Sequence, residues 1–214
     1  MIDNELLPVV KKIALANRID IYIDAGAFSV DESRKFLVKA KSLGFDLIIH
    51  GEQFTKGGVA LAREMGVLSV DHLEIVEDKE IELLAASGVI PIVLPGASLG
   101  LGCRFAPARK LLDSGCSLAI GSDWNPGSAP MGDLLVQTAI LGIFEKMTIA
   151  ESLAGITFRA AYALGLKDRG VLKNRFIADL IGFPTSDYRE ILYLQGCLKP
   201  SKVWKRGEIV DDKS

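Results

Sequence analysis

The chain has 214 residues, 49% of them hydrophobic and 24% charged, with a formal net charge of −2. That balance excludes a disordered chain, gives no basic face for a nucleic acid backbone, and leaves a small molecule as the expected partner. The three cysteines, Cys103, Cys116 and Cys197, lack CxxC spacing, which excludes a disulfide framework or thiolate zinc cluster and fits buried apolar thiols in a reducing cytoplasm.

Residues 1–5 carry acids where a leader would carry bases, so no signal peptide is read there. No apolar run approaches the roughly 18 residues that a membrane span requires. From there, helical and β-branched runs alternate. Helices are predicted near 5–17, 31–43, 58–65, 78–87 and 106–114, and strands at 19–25, 46–50, 68–71, 90–94 and 117–122. Each helix closes on Gly, Asn or Ser before the next strand. A β-α-β-α order predicts a parallel sheet, and strands apolar on both faces need helical cover on both sides or closure into a barrel. Five strands fall short of the eight in a complete barrel of about 250 residues. An open, flavodoxin-like sheet is the alternative.

Residues 96–102 read as a Gly-rich loop. Two longer helices are expected near 130–145 and 148–164, the second opened by the capping sequence Thr148-Ile149-Ala150-Glu151. From residue 170 the texture changes to short β-like runs at 178–183, 191–195 and 202–205, broken by Gly, Pro and Ser, which predicts a small β appendage. The expected organisation is therefore 1–169 and 170–214.

The chain has two histidines, and both stand at C-terminal ends of predicted strands: His50 and His72. Asp123 holds the same station after the fifth strand. That end of a parallel sheet is where ligands bind and chemistry occurs. Each alone has a plain structural reading, a hydrogen-bonded histidine or a helix-capping aspartate; three together point to a site. Arg104 follows the Gly-rich loop and would face an anion or water, and Trp124 would wall a pocket or pack beneath it. Gly100-Leu101-Gly102 is too short and misplaced for a dinucleotide fingerprint.

Four local stretches carry a family resemblance. They are His50-Gly51-Glu52-Gln53 followed by Gly57-Gly58; Ser69-Val70-Asp71-His72-Leu73-Glu74; Leu94-Pro95-Gly96-Ala97; and Ser122-Asp123-Trp124-Asn125-Pro126-Gly127-Ser128. With Ala178-Asp179-Leu180 and Val203-Trp204-Lys205-Arg206-Gly207 near the end, the chain resembles the C-terminal half of the imidazolonepropionases, metal-dependent cyclic amide hydrolases of the amidohydrolase superfamily. The resemblance implies an α/β fold, a partial (β/α)8 TIM-like barrel of about five βα units, with a remnant of a small β-sandwich domain at 170–214.

It further implies that His50 and Asp123 are metal ligands for zinc or iron, an ion that lowers the pKa of its bound water toward neutrality. Asp123 would pass the water's proton to the departing ring nitrogen, His72 would polarise the carbonyl, and Glu52 would join the catalytic set. Gln53 would hydrogen-bond the ring, although some relatives carry an acid there. Asn125, Gly127 and Ser128, with free N–H groups at the start of the next helix, would hold the substrate's propionate. The His-x-His pair of the family's first strand has no counterpart here, so metal would be weakly held or absent in the isolated chain. A partner is expected, a second copy or a separate N-terminal half-barrel chain, the third arrangement being that the sequence is an excerpt or truncated product of a longer chain. A non-catalytic remnant of the fold is the alternative to an enzyme.

Overall fold

The computed structural model describes residues 5–210; residues 1–4, within the stretch read as no leader, and 211–214 lie outside the described residues. In chain order the first elements are α1 (Leu7–Lys12), β1 (Arg18–Ile23), α2 (Val30–Ser42), β2 (Asp46–Gly51), α3 (Gly58–Met65), β3 (Ser69–His72), α4 (Asp78–Ala85), β4 (Ile90–Val93), α5 (Pro95–Leu101) and α6 (Ala108–Asp113). There follow β5 (Ala119–Ile120), α7 (Leu134–Phe144), α8 (Ile149–Ile156), α9 (Phe158–Ala163), β6 (Leu180–Gly182), α10 (Glu190–Tyr193), β7 (Lys202–Lys205) and β8 (Glu208–Ile209). They form two compact units, Met1–Val93 with Ala106–Leu118, and Leu94–Phe105 with Ala119–Ser214.

In the first unit β1, β2, β3 and β4 pair in sequence order, all parallel. Parallel neighbours need a crossover, and α2, α3 and α4 supply it. A capping box starts α2: Ser29 Oγ accepts from Glu32 N, while Glu32 Oε2 accepts from Ser29 N. One face of the sheet carries Ile21, Ile23, Leu47, Ile49, Val70 and Val93, buried with Leu37 and Ala40 of α2 and Val59, Leu61 and Ala62 of α3. Each fully buried Leu, Ile or Val contributes about 1.5–3 kcal/mol relative to exposure. Side chains alternate along a strand, so the opposite face holds Asp20 and Tyr22 of β1, Ile48 and His50 of β2, and Ser69 and Asp71 of β3. The register Tyr22↔His50↔Asp71 sets three polar side chains in one row across the sheet.

The strand-to-helix step after β2 is unusually close. A Cβ on Gly51 would lie 3.2 Å from the Gly58 Cα, and one on Gly58 would lie 3.1 Å from the Gly51 Cα. The glycines named in the His50–Gly58 stretch thus let the start of α3 approach the end of β2.

In the second unit α8 and α9 pack on β5, and β6, β7 and β8 form an antiparallel sheet in that order. Several expectations need correction here. The run at 191–195 lies in helix α10 and its C-cap turn, not a strand. The Gly-rich stretch at 96–102 is helix α5 with its C-cap, not a loop. The helix expected at 148–164 is two, broken at Thr157, whose ψ of −101° ends the first and whose hydroxyl donates to Leu153 O at 2.7 Å. The fifth strand is reduced to two residues. Of the cysteines only Cys116 is buried; Cys103 is half-buried and Cys197 exposed. Among the described residues no helix is long and apolar enough to cross a membrane.

Candidate functional site

His50 lies between two carboxylates, Asp71 beside it in the sheet row and Asp20 two residues before Tyr22 on β1. Its Nδ1 is 2.8 Å from Asp20 Oδ1 and its Nε2 is 3.6 Å from Asp71 Oδ2. The side chain of Asp71 is 13% exposed, and burial pushes its carboxyl up to about 6; Asp20 raises it as well, against a lowering by His50 and by a hydrogen bond from Ser69 Oγ. Neither Asp20 nor Asp71 was singled out from the sequence. Their signal was the alternation Asp20, Tyr22 and Ser69, Asp71 along two strands, which becomes informative only once register is known.

His72 ends β3 with a φ of +83° and is 5% exposed. Its ring centroid is 5.5 Å from that of His50 and 5.9 Å from that of Tyr22, and its Nδ1 faces Glu74 Oε1 at 3.5 Å. Tyr22 in turn donates its hydroxyl to Gln53 Oε1 at 2.7 Å. The structure therefore brings together His50, His72 and, through Tyr22, Gln53.

Glu52 is not directed to this group. Its backbone has a φ of +59°, and its Oε1 accepts from Gly57 N at 3.1 Å and Val59 N at 2.9 Å, at the start of α3. The residue is 1% exposed, and burial raises its carboxyl above the ordinary value. In the structure Glu52 anchors α3, because unsatisfied amides at a helix start attract a carboxylate.

Asp123, three residues after β5, has a φ of +50°. Asn125 organises the surrounding turn: its Nδ2 donates to Asp123 O at 2.6 Å, Asp123 Oδ2 at 3.2 Å and Ser128 Oγ at 3.0 Å. Its Oδ1 accepts from Gly127 N and Ser128 N, both at 2.8 Å. The structure thus unites Asp123, Asn125, Gly127 and Ser128. It also shows that those N–H groups do not open α7. That helix begins at Leu134, not near 130, and Asp133 Oδ1 accepts from Leu135 N and Val136 N as its cap. Trp124 is 74% exposed and Arg104 is exposed.

A catalytic zinc site takes about three protein ligands and one open position. Among the described residues no three His, Cys, Asp or Glu side chains gather into a group able to hold a metal ion. The donor types suit zinc or iron, but their number does not, so the described residues do not compose a metal centre.

Residues 50–211 match the model of the Amidohydrolase family. An imidazolonepropionase of Deinococcus deserti is 40% identical over 204 residues, 95% of this chain and 51% of that protein. The chain spans about half the length of the curated relatives it matches. An amidohydrolase from an environmental sample of the Sargasso Sea superposes with a TM-score of 0.80 at 19% identity, over 97% of this chain and 54% of that one. An adenosine deaminase from Xanthomonas campestris with bound zinc superposes with a TM-score of 0.74 at 20% identity, over 90% and 50%. The fold is thus α/β, a partial barrel of the amidohydrolase type with a small antiparallel sheet, rather than an open flavodoxin-like sheet.

Proposed function

Because the chain belongs to the amidohydrolase family, we propose that it supplies the C-terminal half of a site that opens a cyclic amide with water. The reaction is that of imidazolonepropionase, 4-imidazolone-5-propanoate and water to N-formimidoyl-L-glutamate, a step of histidine degradation in the cytoplasm. The observation that carries this reading is the pair of strand-end rings, His50 and His72, 5.5 Å apart, on a chain similar to imidazolonepropionases over 95% of its length.

In this reading the barrel portion is 1–169, and 170–214 is the remnant of the small β-sandwich domain. His50 and Asp123 would hold zinc or iron only together with donors from an N-terminal half-barrel chain, and the ion would supply an activated water. His72, buried and therefore little hydrated, donates toward the carbonyl oxygen as negative charge grows there. Asp123 carries the proton to the leaving nitrogen. Gln53, pinned by Tyr22 through its Oε1, offers its amide nitrogen to the ring. The turn of Asn125, Gly127 and Ser128 borders the propionate, with Ser128 Oγ as the side-chain donor.

The test is hydrolysis of 4-imidazolone-5-propanoate by the purified chain with zinc or iron, alone and mixed with the separately produced N-terminal half of the Deinococcus deserti relative. The expected result is no turnover alone, turnover in the mixture, and its loss in Asp123→Ala. Full turnover by the chain alone would sink the idea that its metal site is incomplete. A second reading, a non-catalytic remnant serving assembly, draws on the shortfall of metal donors; it requires that the mixture stay inactive and that Asp123→Ala leave complex formation intact.

A further inference from the structure

The loop after β2, residues 52–57, carries Gln53, and much of what holds it comes from β1. Asp24 stands one residue beyond the end of that strand and is 6% exposed. A carboxylate is buried at little cost only where donors surround it, and Asp24 has three. Its Oδ1 accepts from Ala25 N at 2.7 Å and from Thr55 Oγ1 at 2.9 Å, and its Oδ2 accepts from Phe54 N at 2.9 Å. Two of these donors belong to the loop.

The β1 chain therefore touches Gln53 from two sides. Tyr22 donates its hydroxyl to the side chain, at Oε1. Asp24, two positions on, takes the Phe54 amide, which closes the peptide unit that begins at the Gln53 carbonyl. Because β1 pairs with β2 as far as Ile23↔Gly51, both contacts continue a fixed strand register. The far end of the loop is held separately, by Glu52 Oε1 on Gly57 N and Val59 N. We infer that Asp24 is a positioning residue, which fixes the Gln53–Phe54 peptide and with it the direction in which Gln53 presents its side-chain amide. Bonds to a charged acceptor are shorter and stronger than neutral ones, and a binding residue keeps its direction only as well as its supporting contacts do. That Gln53 meets a substrate rests on the function proposed above; that Asp24 orients Gln53 does not.

The first readout is Gln53 itself, by NMR of the 15N-labelled, metal-free chain, with Gln53→Ala assigning the side-chain amide pair by its disappearance. Asp24→Ala is expected to speed exchange of the Phe54 amide by about tenfold or more. It should also move the Gln53 pair toward the position of a glutamine in water, while the Gly57 and Val59 amides keep their protection. Thr55 is exposed; Thr55→Val, which removes one donor at nearly constant shape, is expected to shift the Gln53 pair less, and Thr55→Ser to leave it in place. These two variants carry the test should Asp24→Ala not fold. The second readout is the chain completed with the N-terminal half of the Deinococcus deserti relative. There Asp24→Ala is expected to raise KM for 4-imidazolone-5-propanoate more than it lowers kcat, and this effect should shrink when Gln53 is already alanine. A Gln53 pair that stays at its wild-type position in Asp24→Ala, or a loss of protection that extends equally to Gly57 and Val59, would overturn the inference, as would a KM effect undiminished by Gln53→Ala. A completed complex without turnover would count against the proposed function, and the Gln53 resonances would still decide the role of Asp24.

Discussion

Replacing Glu52 by alanine and by glutamine separates an anchor from an acid. In the folded chain Glu52 Oε1 takes the amides of Gly57 and Val59, and the residue is 1% exposed. Hydrogen bonds to a charged acceptor contribute about 1.5–3 kcal/mol, and a lost helix cap costs about 1 kcal/mol. Alanine removes both bonds and leaves a buried gap, so Glu52→Ala is expected to lower unfolding stability by about 2–4 kcal/mol. Glutamine keeps an oxygen for the two amides and removes the buried charge, so Glu52→Gln is expected to lie much nearer wild type.

The two also differ in pH dependence. Burial raises the Glu52 carboxyl above 4.5, which means that the folded state holds its proton more tightly than the unfolded state does. Stability from this residue is therefore greatest in acid and is lost as pH rises from the ordinary glutamate range through the raised value. The glutamine variant lacks that loss, so it should gain on wild type as pH increases. Urea unfolding followed by circular dichroism at acid and alkaline pH measures both effects. An alanine variant within about 0.5 kcal/mol of wild type would behave as a surface change and refute the anchor, while a glutamine variant losing ground with rising pH would refute the burial account.

Asp71 offers a similar test with a larger expected amplitude, since its carboxyl is raised from 3.8 to about 6. That difference amounts to about 3 kcal/mol of stability present in acid and lost as pH climbs through 6, and Asp71→Asn should flatten the pH profile of the metal-free chain; parallel profiles would refute it. Gly100→Ala sets a Cβ 1.8 Å from the Ser128 carbonyl oxygen, a clash of backbone against backbone, and is expected to cost about 1–3 kcal/mol or more. An unchanged melting temperature would contradict that close approach. Tyr22→Phe removes the bond to Gln53 and is expected to cost about 0.5–1.5 kcal/mol of stability. In the completed enzyme it should raise KM more than it lowers kcat, and a pure kcat effect would point to chemistry by the hydroxyl itself.

The alternation of helix and strand through the first unit was legible because each βα unit repeats the same pattern: a β-branched run, a turn residue, then apolar spacing of about 3.6. Where expectation and structure part, tertiary contact outweighs local preference. Residues 96–102 read as a loop because Gly96, Gly100 and Gly102 are poor helix formers. They form α5 with its C-cap, and a Cβ on Gly96 would meet Ser122 O at 2.6 Å while one on Gly100 would meet Ser128 O. The glycines that weaken the helix locally are what allow it to lie against the Asp123 turn. Ile191 and Tyr193 are good strand formers, yet they lie in α10 beside Leu192, a good helix former that is buried there.

At the candidate site, residue type was legible and orientation was not. His50 and His72 stood out by rarity and by their stations after strands. Glu52 and Gln53 are neighbours in sequence, and nothing in their order said that one would cap α3 while the other would accept from Tyr22. The division follows from the Glu52 φ of +59°, a left-handed step that turns the chain out of strand alternation and sends consecutive side chains to different surroundings. His72 and Asp123 share such angles. Left-handed backbone at non-glycine residues costs of order 1–3 kcal/mol and persists where the surroundings over-determine it. Part of the strain sits at the ends of β2 and β3 and after β5, and Ala14, Lys146, Arg175, Gln195 and Arg206 carry left-handed angles elsewhere. An Asp20–His50 contact, the ring contacts of His72 and a closed Asn125 turn fix how these groups point.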